Sequence, residues 1–338
     1  MSVLLPEAPL SAPALPISIV VVAYQMSREL PRTLRSFSAA YQDFPRDQYE
    51  VIVVDNGSSP AVSAGDFAEL DLWLTVLHMA KPTQSPVPAI NRGIEIAKGD
   101  LVGAFIDGAR LASPGMLRQA TNASRISERP VIATLGFHLG PAVQMRSVPA
   151  GYDKTAEDAL LASIGWPADG QRLFEIATFA GSSRGGWFAP MSECNGLFMK
   201  KDSWRELGGF DPGFESPGGG LCNLDMYRRA CQQAGAQVIV LLGQGTFHPV
   251  FGPLNVELEE DRLAGLNILP GHPGSWRNSD EQSELTMGDL WRGIPPAARR
   301  ALYPPGGRSD LPRYTPAFGD ALGRVLGPRA SSAFEMTG

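Results

Sequence analysis

The sequence predicts an α/β protein with a mostly parallel sheet flanked by helices, and two observations carry that expectation. Short β-branched apolar runs alternate with segments of helical periodicity through the first half of the chain, the order that builds strand–helix–strand units. The runs at 17–23 (ISIVVVA) and 51–54 (VIVV) are apolar without alternation, as strands buried on both faces are.

The elements follow in order. After the first strand, Ser27 can cap a helix in which Leu30, Leu34 and Phe37 recur on one face. The second strand stops at the turn cluster Asp55-Asn56-Gly57-Ser58. Residues 72–77 read as a third strand. Residues 88–98 read as a helix with Ile90, Ile94 and Ala97 on one side and Gly99 as its stop. Residues 101–106 form the fourth strand and lead into Asp107. Pro114 opens another helix, and 131–135 reads as a fifth strand. Residues 138–190 are rich in Gly, Pro and Trp and poorly periodic, which predicts an insertion of loops. Regular structure resumes at 196–200, followed by a short helix to Leu207. The glycine-rich loop 216–220 precedes a helix over 221–234, and 237–242 reads as the last strand. The organisation expected is an N-terminal flexible stretch over 1–15, one domain over 16–250, and a C-terminal extension over 251–338 that wraps the domain. The domain divides into a first half at 16–137 and a second half at 138–250.

With 338 residues, 43% apolar and 19% charged, the chain has the composition of a globular protein. A formal net charge of −6 gives no basic excess for nucleic acid and no basic helix for a membrane surface. Any anionic substrate group must be met locally, by a few Arg residues, backbone N–H groups or a metal. The three cysteines, Cys194, Cys222 and Cys231, fit no zinc framework and read as reduced, buried thiols. The first fifteen residues, with Glu7 and three prolines, do not read as a signal peptide. No apolar run nears the roughly 20 residues of a membrane span. The expectation is a cytoplasmic protein, at most peripheral at the inner face of the membrane, with no integral membrane segment. The sequence leaves the oligomeric state open.

In an open parallel sheet, ligands sit beyond the carboxyl ends of the strands, where strand order reverses. Those ends carry Ala23-Tyr24-Gln25, Asp55-Asn56-Gly57-Ser58 and Asp107-Gly108-Ala109-Arg110. An Asp leaving a buried strand can accept a base N–H or a ribose hydroxyl, or hold a divalent cation near phosphates. Alone, such an Asp more often caps the next turn; the ordered set points to a nucleotide.

The stretch from Pro16 to Gly57 resembles the opening of the family 2 glycosyltransferases, inverting enzymes with the GT-A fold. Ala89-Ile90-Asn91-Arg92-Gly93 resembles their ARNxG helix, and the strand from Gly99 to Asp107 resembles the one leading to their DxD motif. Glu206 to Asp211 (ELGGFD) resembles the segment before their acceptor helix, and Gly245 to His248 the segment supplying a late histidine. The resemblance covers residues 16–250. It implies a GT-A-like, Rossmann-type sheet. The donor would be a nucleoside-diphosphate sugar (UDP, GDP or dTDP), and the acceptor a glycan or lipid-linked molecule in cell-surface polysaccharide synthesis. It further implies that Asp55 accepts the base N–H, that Ala23, Tyr24 and Gln25 line the base pocket, and that Asn91 belongs to the donor side. Asp107 would meet the ribose and the metal-bridged diphosphate, with Mn²⁺ or Mg²⁺ as the ion, and His248 would be a further ligand or phosphate contact.

Three departures bear on this reading. The motif Asp107-Gly108-Ala109 lacks the second carboxylate of DxD. One Asp and one His make a thin set for Mg²⁺ or Mn²⁺ unless diphosphate oxygens and waters complete it, or Arg110 supplies positive charge instead. At the acceptor helix the usual Glu-Asp is Cys222-Asn223, leaving Asp225 as the nearest base for the acceptor hydroxyl, with Glu215 and Glu193 as fallbacks. Asp225 can equally complement the helix dipole. Gln25 stands where Asn is usual, a mild change. Trp166, Trp187 and Phe188 offer either a sugar-stacking platform or core packing of the insertion. Two other functions stay open. A nucleotidyltransferase would show a Gly-rich, Lys-bearing phosphate loop after the first strand, which Ala23-Tyr24-Gln25-Met26 is not. A non-catalytic nucleotide-sugar or glycan-binding protein is compatible with the missing carboxylates.

Overall fold

A computed structural model describes residues 16–189 and 191–250. The expected flexible N-terminus and wrapping extension lie outside the described residues. In chain order the elements are β1 (Ile17–Ala23), α1 (Glu29–Ser36), α2 (Ala39–Gln42), β2 (Tyr49–Asp55), β3 (Leu74–His78), α3 (Val87–Ile96), β4 (Leu101–Phe105), β5 (Leu111–Ala112), α4 (Met116–Ala123), β6 (Pro130–Leu139), α5 (Gln144–Ser147), α6 (Lys154–Ser163), β7 (Ala177–Phe179), β8 (Leu197–Lys200), α7 (Lys201–Glu206), α8 (Cys222–Gln232) and β9 (Gln237–His248).

These strands make one sheet in the order β3-β2-β1-β4-β8-β6-β9-β5, with β7 on β6. The first four pair in parallel. Beyond β4 the sheet is mixed: β8 runs antiparallel to both β4 and β6, and β9 runs parallel to β6. Every residue of β1 and β2 is buried. Alternate side chains go to opposite faces, as the period of two requires. Val20, Val22, Ile52 and Val54 pack with Ile90 and Ile94 of α3, while Ile19, Val21, Val51 and Val53 pack with Leu30, Leu34 and Phe37 on the α1 side. This two-sided burial is why the runs lack alternation.

The stretch read as loops holds α5, α6 and β7. Asp153 caps α6 by accepting the Ala156 N–H. Glu157, fully buried, accepts from Arg28 and from the Val250 N–H at 2.6 Å, while Asp158 accepts from Arg28 and Arg32, so α6 is docked on α1 through charge. Trp187 settles on core packing: it is buried among Phe137, Phe174 and Phe179 and donates its Nε1–H to the Gln244 carbonyl at 3.2 Å.

A polar joint locks β1, β2 and the turn before β4. The Glu50 Oε1 atom, buried, accepts from the Ser18 hydroxyl and the Lys98 N–H, each at 2.7 Å, and Ser18 Oγ accepts the Gly99 N–H at 2.8 Å. Removing one partner of a buried bond leaves the other unsatisfied. Glu50→Ala is therefore expected to lower stability by about 1–3 kcal/mol or more, since two donors are orphaned. Urea unfolding checks this, and an unchanged midpoint would refute it.

Candidate functional site

Strand order reverses at β1: β2 and β3 lie to one side of it, β4 to the other. The crevice beyond the carboxyl ends of β1, β2 and β4 is thus the switch point of the sheet. Ala23, Asp55 and His78 lie in one rank across β1, β2 and β3. Ala23 is buried and its carbonyl accepts the Asn56 N–H, while Tyr24 stands exposed. Gln25 takes a left-handed φ of 55°, and its N–H donates to Ser58 Oγ at 3.0 Å. The loops after β1 and β2 are thereby joined.

Asp55, almost wholly buried, orders the second loop. Its Oδ1 accepts the Ser58 N–H at 2.9 Å, its Oδ2 accepts the Val62 N–H at 3.0 Å, and His78 Nδ1 lies 3.2 Å from Oδ2. Burial opposes ionisation, but the bonds from Ser58, Val62 and His78 outweigh it and hold the carboxyl below its ordinary value. His78 escaped notice in the sequence. It could have been found by the rule that found Asp55, as the polar residue ending a strand. A groove of about 780 Å³, lined by residues that include His78, Met79, Lys81 and Arg92, opens on the β3–α3 side.

The second cluster joins the end of β4 to the end of β9. Asp107 Oδ2 lies 2.8 Å from His248 Nε2 and 3.3 Å from Arg110 Nε, and Asp107 Oδ1 accepts the Ala109 N–H. Burial works against the Asp107 carboxylate. The charges of His248 and Arg110 and the bonds from His248 and Ala109 outweigh it and hold the group well below the usual carboxylate range. For His248, burial and then the charge of Arg110 lower the pKa, outweighing Asp107.

Gln144, which nothing in the sequence singled out, decides the imidazole's tautomer. Its Nε2 donates to the His248 carbonyl at 3.0 Å, which turns its Oε1 toward His248 Nδ1, also at 3.0 Å. An amide oxygen only accepts, so Nδ1 carries the hydrogen. The Nε2 lone pair of the neutral ring then faces a carboxylate oxygen, an arrangement that a proton or a cation between them reconciles. Among the described residues no group of three or more His, Cys, Asp or Glu could hold a metal.

Two expected site residues are bonded within the frame of the protein. The Asn91 amide pairs on both sides with the backbone of Phe210, Nδ2 donating to its carbonyl at 2.7 Å and Oδ1 accepting its N–H at 2.8 Å. Asn91 therefore ties α3 to the Gly208-Gly209 turn, and it also lines the groove beside His78. Gly209 has a φ of 69°, and a Cβ on it would sit 2.5 Å from Asn91 Oδ1, so the motif needs glycine there. Arg229 clamps the same turn, donating to the Leu207 and Gly209 carbonyls, and its Nε is 2.7 Å from Asp225 Oδ2. Asp225 is thus in the first turn of α8 as expected, but paired within its own helix. Glu215 is exposed; Glu193 is half-buried.

Residues 18–124 match the model for glycosyl transferase family 2. The structure resembles that of S. aureus TarS, with a TM-score of 0.50, 13% identity, and coverage of 94% of this chain and 50% of that one. The chain therefore spans about half the length of that protein. TarS 1–349 in complex with UDP gives a TM-score of 0.50 at 15% identity, covering 94% of this chain and 82% of the other. The UDP-GlcNAc complex of the same piece gives 0.50 at 14% identity, covering 94% and 83%. No curated protein matches the sequence. The fold is the GT-A fold of glycosyltransferases, and residues 18–124 carry the family 2 signature. No helix among the described residues is long and apolar enough to cross a membrane.

The Asp55 pairings have a consequence for acid stability. Its folded pKa lies below its unfolded one, so its contribution is present above the ordinary carboxylate value and is lost as pH falls through the folded value. Asp55→Asn is expected to flatten the decline of stability between about pH 4 and 2. Denaturant midpoints read across that range check it, and parallel curves for the two proteins would count against it.

Proposed function

We propose that the chain is an inverting glycosyltransferase using a nucleoside-diphosphate sugar, and that the contact between Asp107 and His248 marks where the diphosphate binds. In this reading the nucleoside lies against the joined loops at Gln25 and Asp55, beside the groove at His78, and the diphosphate reaches toward Asp107 and Arg110. The acceptor is a hydroxyl of a glycan or lipid-linked molecule, met in the cytoplasm on the way to a cell-surface polysaccharide. The observation that carries the reading is the paired end of β4 and β9 at the switch point, with one fixed cation, Arg110, beside it.

The donor set fits a divalent cation in one respect: a carboxylate oxygen and an imidazole lone pair converge, and the far nitrogen of that ring is held by Gln144 Oε1, as metal-binding histidines are commonly backed. Asp107 and His248 would hold Mn²⁺ or Mg²⁺, with the remaining ligands supplied by the diphosphate and water. Such an ion supplies positive charge to the departing nucleoside diphosphate. Arg110 supplies fixed charge on the same side, and Asp107 keeps that guanidinium oriented.

Calorimetry with UDP, GDP and dTDP, with and without Mn²⁺, tests the reading. At least one is expected to bind, more tightly with Mn²⁺. His248→Ala should erase the Mn²⁺-dependent gain, and Asp107→Ala should abolish donor hydrolysis while circular dichroism stays native. Failure of all three nucleotides to bind would end the proposal. Donor binding without hydrolysis or transfer would favour the non-catalytic binding protein.

A further inference from the structure

An inverting transfer needs a free carboxylate on the acceptor side, and Asp225 is not free in this sense: its Oδ2 faces Arg229, whose other nitrogens are fixed to the Leu207 and Gly209 carbonyls. We infer that Glu193, on the segment before β8, is the general base of the reaction proposed above, on which this inference rests.

The placement follows from the bonds around Glu193. Cys194 Sγ accepts the Thr134 N–H at 3.3 Å, and the Thr134 hydroxyl donates to the Gly196 carbonyl at 3.3 Å, which fastens the segment to β6. Asn195 Oδ1 accepts from Asn223 Nδ2 at 2.8 Å, which fastens it to the first turn of α8. Gly196 has a φ of 121°, and a Cβ there would lie 2.7 Å from Thr134 Oγ1, 3.0 Å from Thr246 and 3.2 Å from Phe105. Phe105 and Thr246 each precede by two residues a member of the Asp107–His248 pair. The segment therefore lies across the strand ends that carry the pair and touches the start of the helix facing the glycine-rich loop.

Ser192, Cys194 and Asn195 are buried, whereas Glu193 is half-exposed, and its carboxylate makes no hydrogen bond or ion pair among the described residues. It is held by its neighbours and not by its own charge. Its charge also opposes ionisation of the Cys222 thiol at the start of α8. Glu215, the other fallback, is exposed on its loop. In the step itself, the acceptor oxygen forms its bond to the anomeric carbon as its proton passes to the Glu193 carboxylate. The bond from that carbon to the diphosphate oxygen breaks, its electron pair leaves with the nucleoside diphosphate, and Glu193 later releases the proton to water.

The test uses hydrolysis of UDP-GlcNAc, UDP-glucose and GDP-mannose, with azide as an added nucleophile that carries no proton to remove. Glu193→Ala is expected to lower hydrolysis of the donor that the wild type uses by about 10²–10⁴-fold, to leave nucleotide affinity unchanged in calorimetry, and to recover donor consumption with azide, giving a glycosyl azide. Glu193→Gln should show the same loss, and Asp225→Asn should keep its hydrolysis while melting at lower temperature. Full hydrolysis by Glu193→Ala, a loss that azide does not restore, or an azide-restored loss in Asp225→Asn would each overturn the assignment. Absence of nucleotide binding in the wild type would instead defeat the function on which it rests.

Discussion

The contact between Asp107 and His248 is the constraint around which the rest is arranged. It closes the sheet at one end, joining the last residue of β9 to the residue just past β4 and Ile106. Every neighbouring feature acts to keep it. Arg110 offsets the cost of holding the carboxylate ionised under partial burial, and Gln144 fixes the ring from behind. Strand β4 beneath is buried on both faces, so the end it presents does not shift with a single side chain. A site of this kind is preorganised by the sheet, and its loops need only be tied to one another, as Gln25, Ser58 and Asp55 are.

The first half of the domain, residues 16–137, was the more legible in the sequence, for a physical reason. Strands such as β1 and β2, buried on both faces, write themselves as unbroken β-branched runs, and their ends carry the polar residues that water or ligand must meet. The second half, residues 138–250, hides its pattern. Helix α6 reads as irregular because Glu157, at a buried position, is polar; Arg28 and Arg32 neutralise it from a helix far away in sequence. Strand β9 runs on past Leu242 to His248 although Gly243 and Gly245 interrupt its apolar pattern, since its pairing with β6 resumes at Leu135 after a shift in register. That β8 enters antiparallel between β4 and β6 is a matter of direction, which side-chain periodicity does not encode.

Some residues that the motifs brought forward also tie the frame together. Asn91, Gly209, Phe210, Arg229 and Asp225 form one continuous joint between α3 and α8, in which most side-chain bonds are made to backbone. Motif spacing alone could not distinguish a residue that touches a ligand from one that fixes the element carrying it. Conversely, Gln144 and Asn195 had no pattern to announce them, because a single amide in a loop or at a helix's start looks like ordinary polar sequence.

The late position of β8 in the chain bears on how the molecule can assemble. Strands β1 to β4 are complete by Phe105 and need no later residue to pair with one another, so they can pair while the rest of the chain is still being made. Strand β6 has no seat on this early sheet: it reaches β4 only through β8, which begins at Leu197. Until then the β4 edge is open and apolar, an exposed margin of the sort on which partly made chains associate. During synthesis the molecule therefore passes through a half-built sheet whose protection depends on a four-residue strand.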